Sequence, residues 1–252
     1  MQGNMNILLT NDDGIDSPGL RALEQAFSVK HSVWVVAPDG ERSGMSHYIT
    51  MKLPVRAQHR GENRLAISGS PADCVILALH GAIGVRPDVV ISGPNLGANL
   101  GTDVVYSGTV AAARQASFAG VPGIALSVDS YSPPWHFSPL VDFVTEHIDE
   151  LVSLWTPDHF LNINAANLDN GALPVALTAL GRRTYSDRLY EYEAPSGDRY
   201  FFLDGAPDDS AVHPESDVSF VKSGGIAVTP VSIFPNEQCD FSQYEGASFL
   251  RR

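Results

Sequence analysis

The sequence predicts an α/β fold with a mostly parallel sheet. Short apolar runs of strand length alternate with segments whose apolar residues recur at helical spacing, and Gly, Pro and Asp residues separate the two kinds of segment. This alternation is typical of βαβ units, which place parallel strands side by side in one sheet. Beyond Leu173 the pattern changes to short extended segments between turns. We therefore predict a three-layer core followed by an extended antiparallel arm.

The first strand is predicted at residues 7–9, a continuous apolar run that suits a strand covered on both faces. The strand leads directly to the adjacent carboxylates of Asp12 and Asp13. Ser17 and Pro18 then resemble a helix cap followed by proline at the first helical position. The two carboxylates should therefore lie beyond the carboxyl end of a strand, where open α/β sheets bind ligands. Asp and Asn are also common turn residues, so a solvated turn is the alternative.

The later elements repeat this arrangement along the chain. We predict further strands at residues 32–37, 65–68, 87–93, 123–127 and 160–164. We predict helices after Pro18, after the second cap-and-proline signal at Ser70 and Pro71, and at residues 110–119 and 140–154. Residues 49–64 should form an extended excursion outside the core sheet. Extended segments are expected at residues 175–180, 200–203 and 226–233, with few helical signals between them.

Length and composition predict a single domain with a core over about residues 5–172 and a C-terminal segment over about residues 173–252. Hydrophobic residues make up 44% and charged residues 18% of the chain, and no apolar run reaches the length of a membrane span. No signal-peptide pattern opens the sequence, so we expect a cytoplasmic protein without a membrane partner. Cys74 and Cys239 lack metal-ligand spacing and are interpreted as free thiols.

The net charge of −13 and the lack of any basic stripe argue against a nucleic-acid polymer as partner. A small phosphate could still bind if a divalent ion and main-chain N–H groups supplied local positive charge. Exposed strand edges in an extended arm often pair between subunits, so an oligomer is expected.

Polar residues follow several of the predicted strands and should meet at one edge of the sheet. These residues are Asp12, Asp13, Ser43, Asn95, Asn99 and the helix start Ser107-Gly108-Thr109. They offer oxygen ligands without a thiolate or paired histidines, which favours Mg²⁺, Mn²⁺ or Ca²⁺ over zinc. Two adjacent carboxylates also repel each other unless a cation or hydrogen-bond donors neutralise them. The chemistry that suits this set is phosphoryl transfer.

The same residues carry a resemblance to a known family. Four ordered motifs match it: residues 8–14 (LLTNDDG), residues 36–39 (VAPD) with residues 42–44 (RSG), residues 69–75 (GSPADCV), and residues 92–97 (SGPNLG) continuing to residues 106–110 (YSGTV). The chain resembles the survival protein E (SurE) family of metal-dependent 5′/3′-nucleotidases over roughly its first two-thirds. The tail departs more from the family pattern, since Ala194-Pro195-Ser196-Gly197 stands where the family has Asp-Pro-Arg-Gly.

The resemblance implies a set of roles. Asp12, Asp13, Ser43 and Asn95 would bind one divalent ion per subunit, with Mg²⁺ or Mn²⁺ expected and Ca²⁺ as a further occupant. Asn99, Ser107, Gly108 and Thr109 would line the phosphate pocket, and Asp12 and Asp13 would be catalytic. The resemblance also implies a Rossmann-like core, a nucleoside monophosphate substrate and a homodimer or homotetramer built through the C-terminal arm.

Several alternatives stay open at this point. Haloacid-dehalogenase-like phosphatases also use a strand-end aspartate, but they need Asp-x-Asp spacing, whereas Asp12 and Asp13 are adjacent. A nucleotide or phosphate sensor would use the same cradle without turnover. The choice of catalytic base between Asp12 and Asp13, the preference for 3′- or 5′-esters and activity on short polyphosphate are not readable from the motifs.

Overall fold

A nine-stranded sheet organises the part of the chain that the computed structural model describes, which is residues 3–169, 171–209 and 212–234. Its strands follow the order β3-β4-β2-β1-β5-β6-β7-β11-β8, and the six strands from β4 to β7 run parallel. A separate hairpin pairs β9 with β10. The strands are β1 (Asn6–Thr10), β2 (Ser32–Pro38), β3 (Ala57–Gly61), β4 (Arg64–Ile67), β5 (Val89–Leu96), β6 (Gly123–Asp129), β7 (His159–Ala166), β8 (Val175–Leu177), β9 (Thr184–Glu193), β10 (Arg199–Asp208) and β11 (Ile226–Ser232).

Helices cover both faces of the sheet and confirm the three-layer α/β prediction. The helices are α1 (Pro18–Phe27), α2 (Pro71–Leu77), α3 (Gly108–Phe118), α4 (Ser138–Ser153) and α5 (Asp217–Lys222). A π-helical turn at Ala78–Ala82 extends α2, and a 3₁₀ turn at Gly101–Val105 precedes α3. Helices α1 and α4 pack on one face of the sheet, whereas α2 and α3 pack on the other.

Strand β1 shows why the first apolar run is continuous. Ile7 and Leu9 pack into the core under α1 and α4, whereas Leu8 packs into the core under α2 and α3. All three side chains are fully buried. Burial of each such side chain stabilises the fold by roughly 1.5–3 kcal/mol relative to exposure, so β1 anchors both layers. This confirms the prediction of a strand covered on both faces.

The two cap-and-proline signals give different results. Ser70 caps α2 through its hydroxyl, which accepts a hydrogen bond from the Asp73 N–H at 3.1 Å, and the Asp73 carboxylate accepts from the Ser70 N–H at 2.8 Å. Ser17 stands at the cap position of α1, but its buried hydroxyl makes no hydrogen bond to the helix or to any other described group. The sequence therefore predicted both helix starts and only one of the two caps.

The edges and the C-terminal part correct three expectations. Residues 49–64 were expected to lie outside the core sheet, but β3 pairs with β4 at its edge. Strands β8 and β11, expected in the arm, belong to the main sheet, where β11 runs antiparallel to β7. The arm itself is the β9–β10 hairpin, and β9 and α5 were not predicted. Cys74 is a buried free thiol, whereas Cys239 lies outside the described residues. No described helix is long and apolar enough to cross a membrane.

Candidate active site

A cavity of about 600 Å³ opens at the carboxyl edge of the sheet, beyond β1, β2 and β5. Six of the eight residues predicted from the sequence line it: Asp12, Asp13, Ser43, Asn95, Asn99 and Ser107. Gly108 and Thr109 lie immediately behind its wall and are buried. The parallel strands thus bring together loops that are as far apart in the chain as Asp12 and Ser107.

Asp12 is tied to the start of α3. Its two carboxylate oxygens accept hydrogen bonds from the Thr109 N–H at 3.1 Å and from the Thr109 hydroxyl. Burial raises the pKa of Asp12, and these hydrogen bonds from Thr109 oppose the rise. The phosphate-binding role predicted for Gly108 and Thr109 stays a prediction. The contact that the structure shows for Thr109 is with Asp12.

Asp13 lines the cavity, and its carboxylate is only partly hydrogen-bonded. One of its carboxylate oxygens, Oδ2, is buried and has no hydrogen-bond partner among the described residues. Burial raises its pKa to about 7, with further contributions from the negative charges of Asp12 and Glu41, whereas the main-chain N–H of Leu96 lowers it. A buried carboxylate without a partner beside a second carboxylate is an arrangement that a cation would stabilise.

Ser43, in the loop after β2, and Asn95, near the carboxyl end of β5, are the other two residues of the predicted ligand set. The Ser43 hydroxyl donates to the Glu41 carboxylate at 3.0 Å, and the Asn95 side-chain amide donates to the Gly97 carbonyl at 2.8 Å. The Asn95 side-chain oxygen is thus left as an acceptor. The described residues contain no group of three or more His, Cys, Asp or Glu side chains at metal-ligand spacing. A metal site here would therefore draw on Ser43 and Asn95 beside the two aspartates, and this ligand set stays a prediction.

The loop after β2 is fastened to the loop that carries Asp12. The main-chain N–H of Arg42 donates to the Asp12 carbonyl at 2.7 Å. The Arg42 guanidinium also pairs with Asp39 at 2.8 Å, and Asp39 accepts a second hydrogen bond, from Arg56, at 3.0 Å. Because Asp39 orients Arg42, it supports the position of Ser43 relative to Asp12.

The other wall of the cavity is aromatic and acidic. Tyr131 lies with its ring against Gly97, so closely that a Cβ atom at Gly97 would come within 2.3 Å of the ring. Tyr185 donates its hydroxyl to Asp103 at 2.6 Å, and Arg183 binds the other oxygen of Asp103 at 2.7 Å. Burial and the hydrogen bond to Asp103 raise the pKa of Tyr185. The tyrosines and Asp103 all line the cavity.

Several of these residues were not found from the sequence. Glu41 adds a carboxylate next to Asp13, and Tyr131 and Tyr185 supply an aromatic surface. Glu41 was detectable in principle, because it follows β2 in the same loop as Ser43. The tyrosines carry no local signal.

The fold and the cavity together define a Rossmann-like α/β protein with clustered carboxylate, hydroxyl and amide groups at the carboxyl edge of its sheet. The sequence profile of the family described as Survival protein SurE matches residues 7–187. The chain belongs to this SurE family.

Curated relatives align with nearly the whole chain. The protein named 5′-nucleotidase SurE of Geotalea daltonii is 36% identical over 250 residues, covering 98% of each chain. The protein of the same name in Desulforudis audaxviator is 39% identical over 258 residues, covering 98% of this chain and 97% of its own. Among solved structures, the SurE protein from Aquifex aeolicus has a TM-score of 0.83 at 29% identity, covering 98% of this chain and 100% of its own.

Proposed function

We propose that the chain is a divalent-metal-dependent phosphatase that hydrolyses nucleoside 5′- and 3′-monophosphates to nucleoside and inorganic phosphate, with short polyphosphate as a further substrate. Its membership of a family whose curated relatives are named 5′-nucleotidases supports the nucleotide substrate. The observation that carries the proposal is the pair of adjacent carboxylates in the cavity, one of which has a buried oxygen without a hydrogen-bond partner in the part of the chain that the structure describes.

The charge of the cavity supports a metal requirement. Four carboxylates line it, and the described residues of its wall include no Lys or Arg. A phosphate ester is itself an anion, so it would be repelled unless a cation were bound between it and the carboxylates. We assign one Mg²⁺ or Mn²⁺ per subunit to the oxygens of Asp12, Asp13, Ser43 and Asn95, with Ca²⁺ as a further occupant, because hard cations prefer oxygen ligands. Such an ion polarises the phosphate and makes a nearby water more acidic.

The protein's own groups then have separate tasks. Asp13 accepts the proton of the attacking water, since its Oδ2 has no hydrogen-bond partner among the described residues. Asp12 is held in place by Thr109 and contributes negative charge to the cation site. The Ser107 oxygen accepts a hydrogen bond from the Val110 N–H at 3.1 Å, so the Ser107 hydroxyl proton remains available to donate to a phosphate oxygen. Asn99 offers its side-chain amide to the same group.

The nucleoside would occupy the aromatic side of the cavity. Tyr131 and Tyr185 lie close to each other and to Asp103, and their rings give a planar base a surface on which to stack. A volume of about 600 Å³ is within the usual range for small-molecule sites and leaves room for a base beyond the phosphate.

The test is release of inorganic phosphate from a panel of 5′- and 3′-nucleoside monophosphates and short polyphosphate, with EDTA, Mg²⁺ or Mn²⁺. We expect metal-dependent release that Asp13→Asn abolishes. Asp16→Asn is the matched control, because Asp16 lies in the same loop with a side chain that is 75% exposed. Nucleotide binding without release under any metal condition would instead favour a sensor.

We also propose that the β9–β10 hairpin assembles the chain into a homodimer or homotetramer. Every residue of both strands is exposed, and the hairpin carries a cluster of aromatic side chains: Tyr190, Tyr192, Tyr200 and Phe202. An exposed aromatic patch of this kind is typical of an interface. Light scattering coupled to size exclusion should show a smaller species for Phe202→Asp, whereas Asp198→Asn in the hairpin turn should leave the assembly unchanged.

A further inference from the structure

Three polar side chains occupy core positions of β6 and β7. Ser127 lies on β6, and Asn162 and Asn164 lie on β7, and all three side chains are fully buried. The residues that alternate with them along the two strands, such as Leu126 and Ile163, pack into the core under α1 and α4. The polar side chains therefore face the opposite side of the sheet, where α3 and the loop that carries Asn99 cover them.

All three converge on one residue of the cavity wall. The Asn164 side chain makes a double contact with the main chain of Asn99, accepting from its N–H at 2.8 Å and donating to its carbonyl at 3.1 Å. Asn162 donates to the same carbonyl at 2.8 Å. The Ser127 hydroxyl binds the side-chain amide of Asn99 at 2.9 Å. Four hydrogen bonds thus hold a single loop residue.

This arrangement costs the fold some stability. The side-chain oxygen of Asn162 is buried and has no partner among the described residues. A buried carbonyl group without a hydrogen bond is destabilising, and a hydrophobic side chain at the same position would avoid that cost. The polar residues are therefore poorly explained by core packing alone. Their shared contact, Asn99, is a residue of the cavity wall.

We propose that Asn162 and Asn164 are positioning residues that fix the main chain of Asn99 at the phosphate end of the cavity, while Ser127 orients its side-chain amide. The Ser127 oxygen accepts one of the two amide protons of Asn99, which leaves the second amide proton to donate to an anion. The inference rests on the proposed function, because it takes Asn99 to contact the phosphate. It assigns three residues that act through Asn99 without touching the substrate.

The experiment compares Asn162→Leu, Asn164→Leu and Ser127→Ala with wild type. Binding of inorganic phosphate in the presence of Mg²⁺ is measured by calorimetry, and KM and kcat are measured with a nucleoside monophosphate. We expect phosphate affinity to fall about tenfold for Asn164→Leu, which loses two hydrogen bonds, and severalfold for the other two. KM should rise in parallel. Asn162→Leu should unfold at a temperature close to that of wild type, since it also removes the unpartnered oxygen.

Thr229→Val is the matched control. Thr229 pairs with Asn162 across the β7–β11 ladder, and its buried hydroxyl bonds to Thr178 at 2.8 Å without contacting Asn99. This control should lose stability while keeping phosphate affinity and KM. If the asparagines had a purely structural role, their variants would also keep the phosphate affinity and KM of wild type. Unchanged phosphate affinity and KM in the folded variants would therefore overturn the proposal.

The outcomes also separate this inference from the proposed function. If wild-type protein binds phosphate but releases none from any nucleotide, the nucleotidase proposal is overturned. In that case weaker phosphate binding by the variants would still support the positioning role. Wild-type protein that turns over nucleotides while the variants keep normal KM would overturn positioning alone. If Asn164→Leu does not fold, Asn162→Leu and Ser127→Ala decide the question by the same two measurements.

Discussion

Asp13→Asn should stabilise the metal-free protein while it abolishes phosphate release. In the folded chain burial, and then the negative charge of Asp12, raise the pKa of Asp13 to about 7 from the ordinary aspartate value of 3.8. A rise of this size corresponds to about 4 kcal/mol. Because the cavity opens to solvent, we take about 2–4 kcal/mol as the cost of ionising Asp13 in the folded protein without a cation.

The sign of the pH dependence follows from proton binding. Between about pH 4 and pH 7 the folded state retains a proton on Asp13 that the unfolded state has lost, so stability falls as pH rises through this range. Above about pH 7 both states are ionised and the full cost is present. Asn carries no titrating group, so the stability of the Asp13→Asn protein should lack this part of the decrease between about pH 4 and pH 7. Below pH 4 the two proteins should have similar stability.

The assay is thermal unfolding between pH 4 and pH 9 in EDTA and again in Mg²⁺. At pH 8 in EDTA we expect the variant to melt roughly 5–10 °C above wild type, since about 1 kcal/mol shifts the midpoint of a chain of this size by about 2–4 °C. Mg²⁺ should raise the midpoint of wild type more than that of the variant, because a ligand stabilises the state that binds it. Asp16→Asn, exposed and paired with Arg21, should behave like wild type. Equal midpoints for wild type and Asp13→Asn at pH 8 in EDTA would refute the reasoning.

Three further changes test other parts of the site. Tyr131→Ala should raise KM for nucleoside monophosphates about tenfold, the effect of losing one stacked base, and leave KM for ribose 5-phosphate unchanged. Thr109→Val should lower kcat about tenfold by freeing one oxygen of Asp12, and Thr109→Ser should restore it. Arg183→Met should lower the free energy of unfolding in urea by about 3 kcal/mol, because Asp103 and Asp209 would lose the same guanidinium.

The sequence predicted the location of the site because the relevant signals are local. Asp12 and Asp13 follow a continuous apolar run, and Asn95 follows another, so parallel pairing alone brings them to one edge. Pairing of β1 with both β2 and β5 confirms that arrangement. The motifs that carry the family resemblance lie in these same loops. Strand ends, turns and caps are encoded within a few residues, and that is the range over which a sequence pattern can be interpreted.

The elements that were missed lack such local signals. Both faces of β9 are exposed, so burial imposes no alternation on its sequence. Helix α5 has six residues, fewer than two turns, which is too short for an apolar period to be recognised in the sequence. Asn162 and Asn164 alternate with hydrophobic residues, a pattern that ordinarily predicts a solvent-facing strand side. Here a helix and a loop cover that side, and only the tertiary structure reveals that the two side chains bind Asn99.

The two aspartates are adjacent, but they have different surroundings. Both lie in the bend after β1 and line the cavity, and Asp12 is also bound by the start of α3. Asp12 receives both donors of Thr109, whereas Asp13 has a buried oxygen without a partner among the described residues. A carboxylate that already accepts two hydrogen bonds is a weaker proton acceptor than one with a free oxygen. In the proposed mechanism this difference in hydrogen bonding assigns Asp12 as the fixed anion and Asp13 as the base.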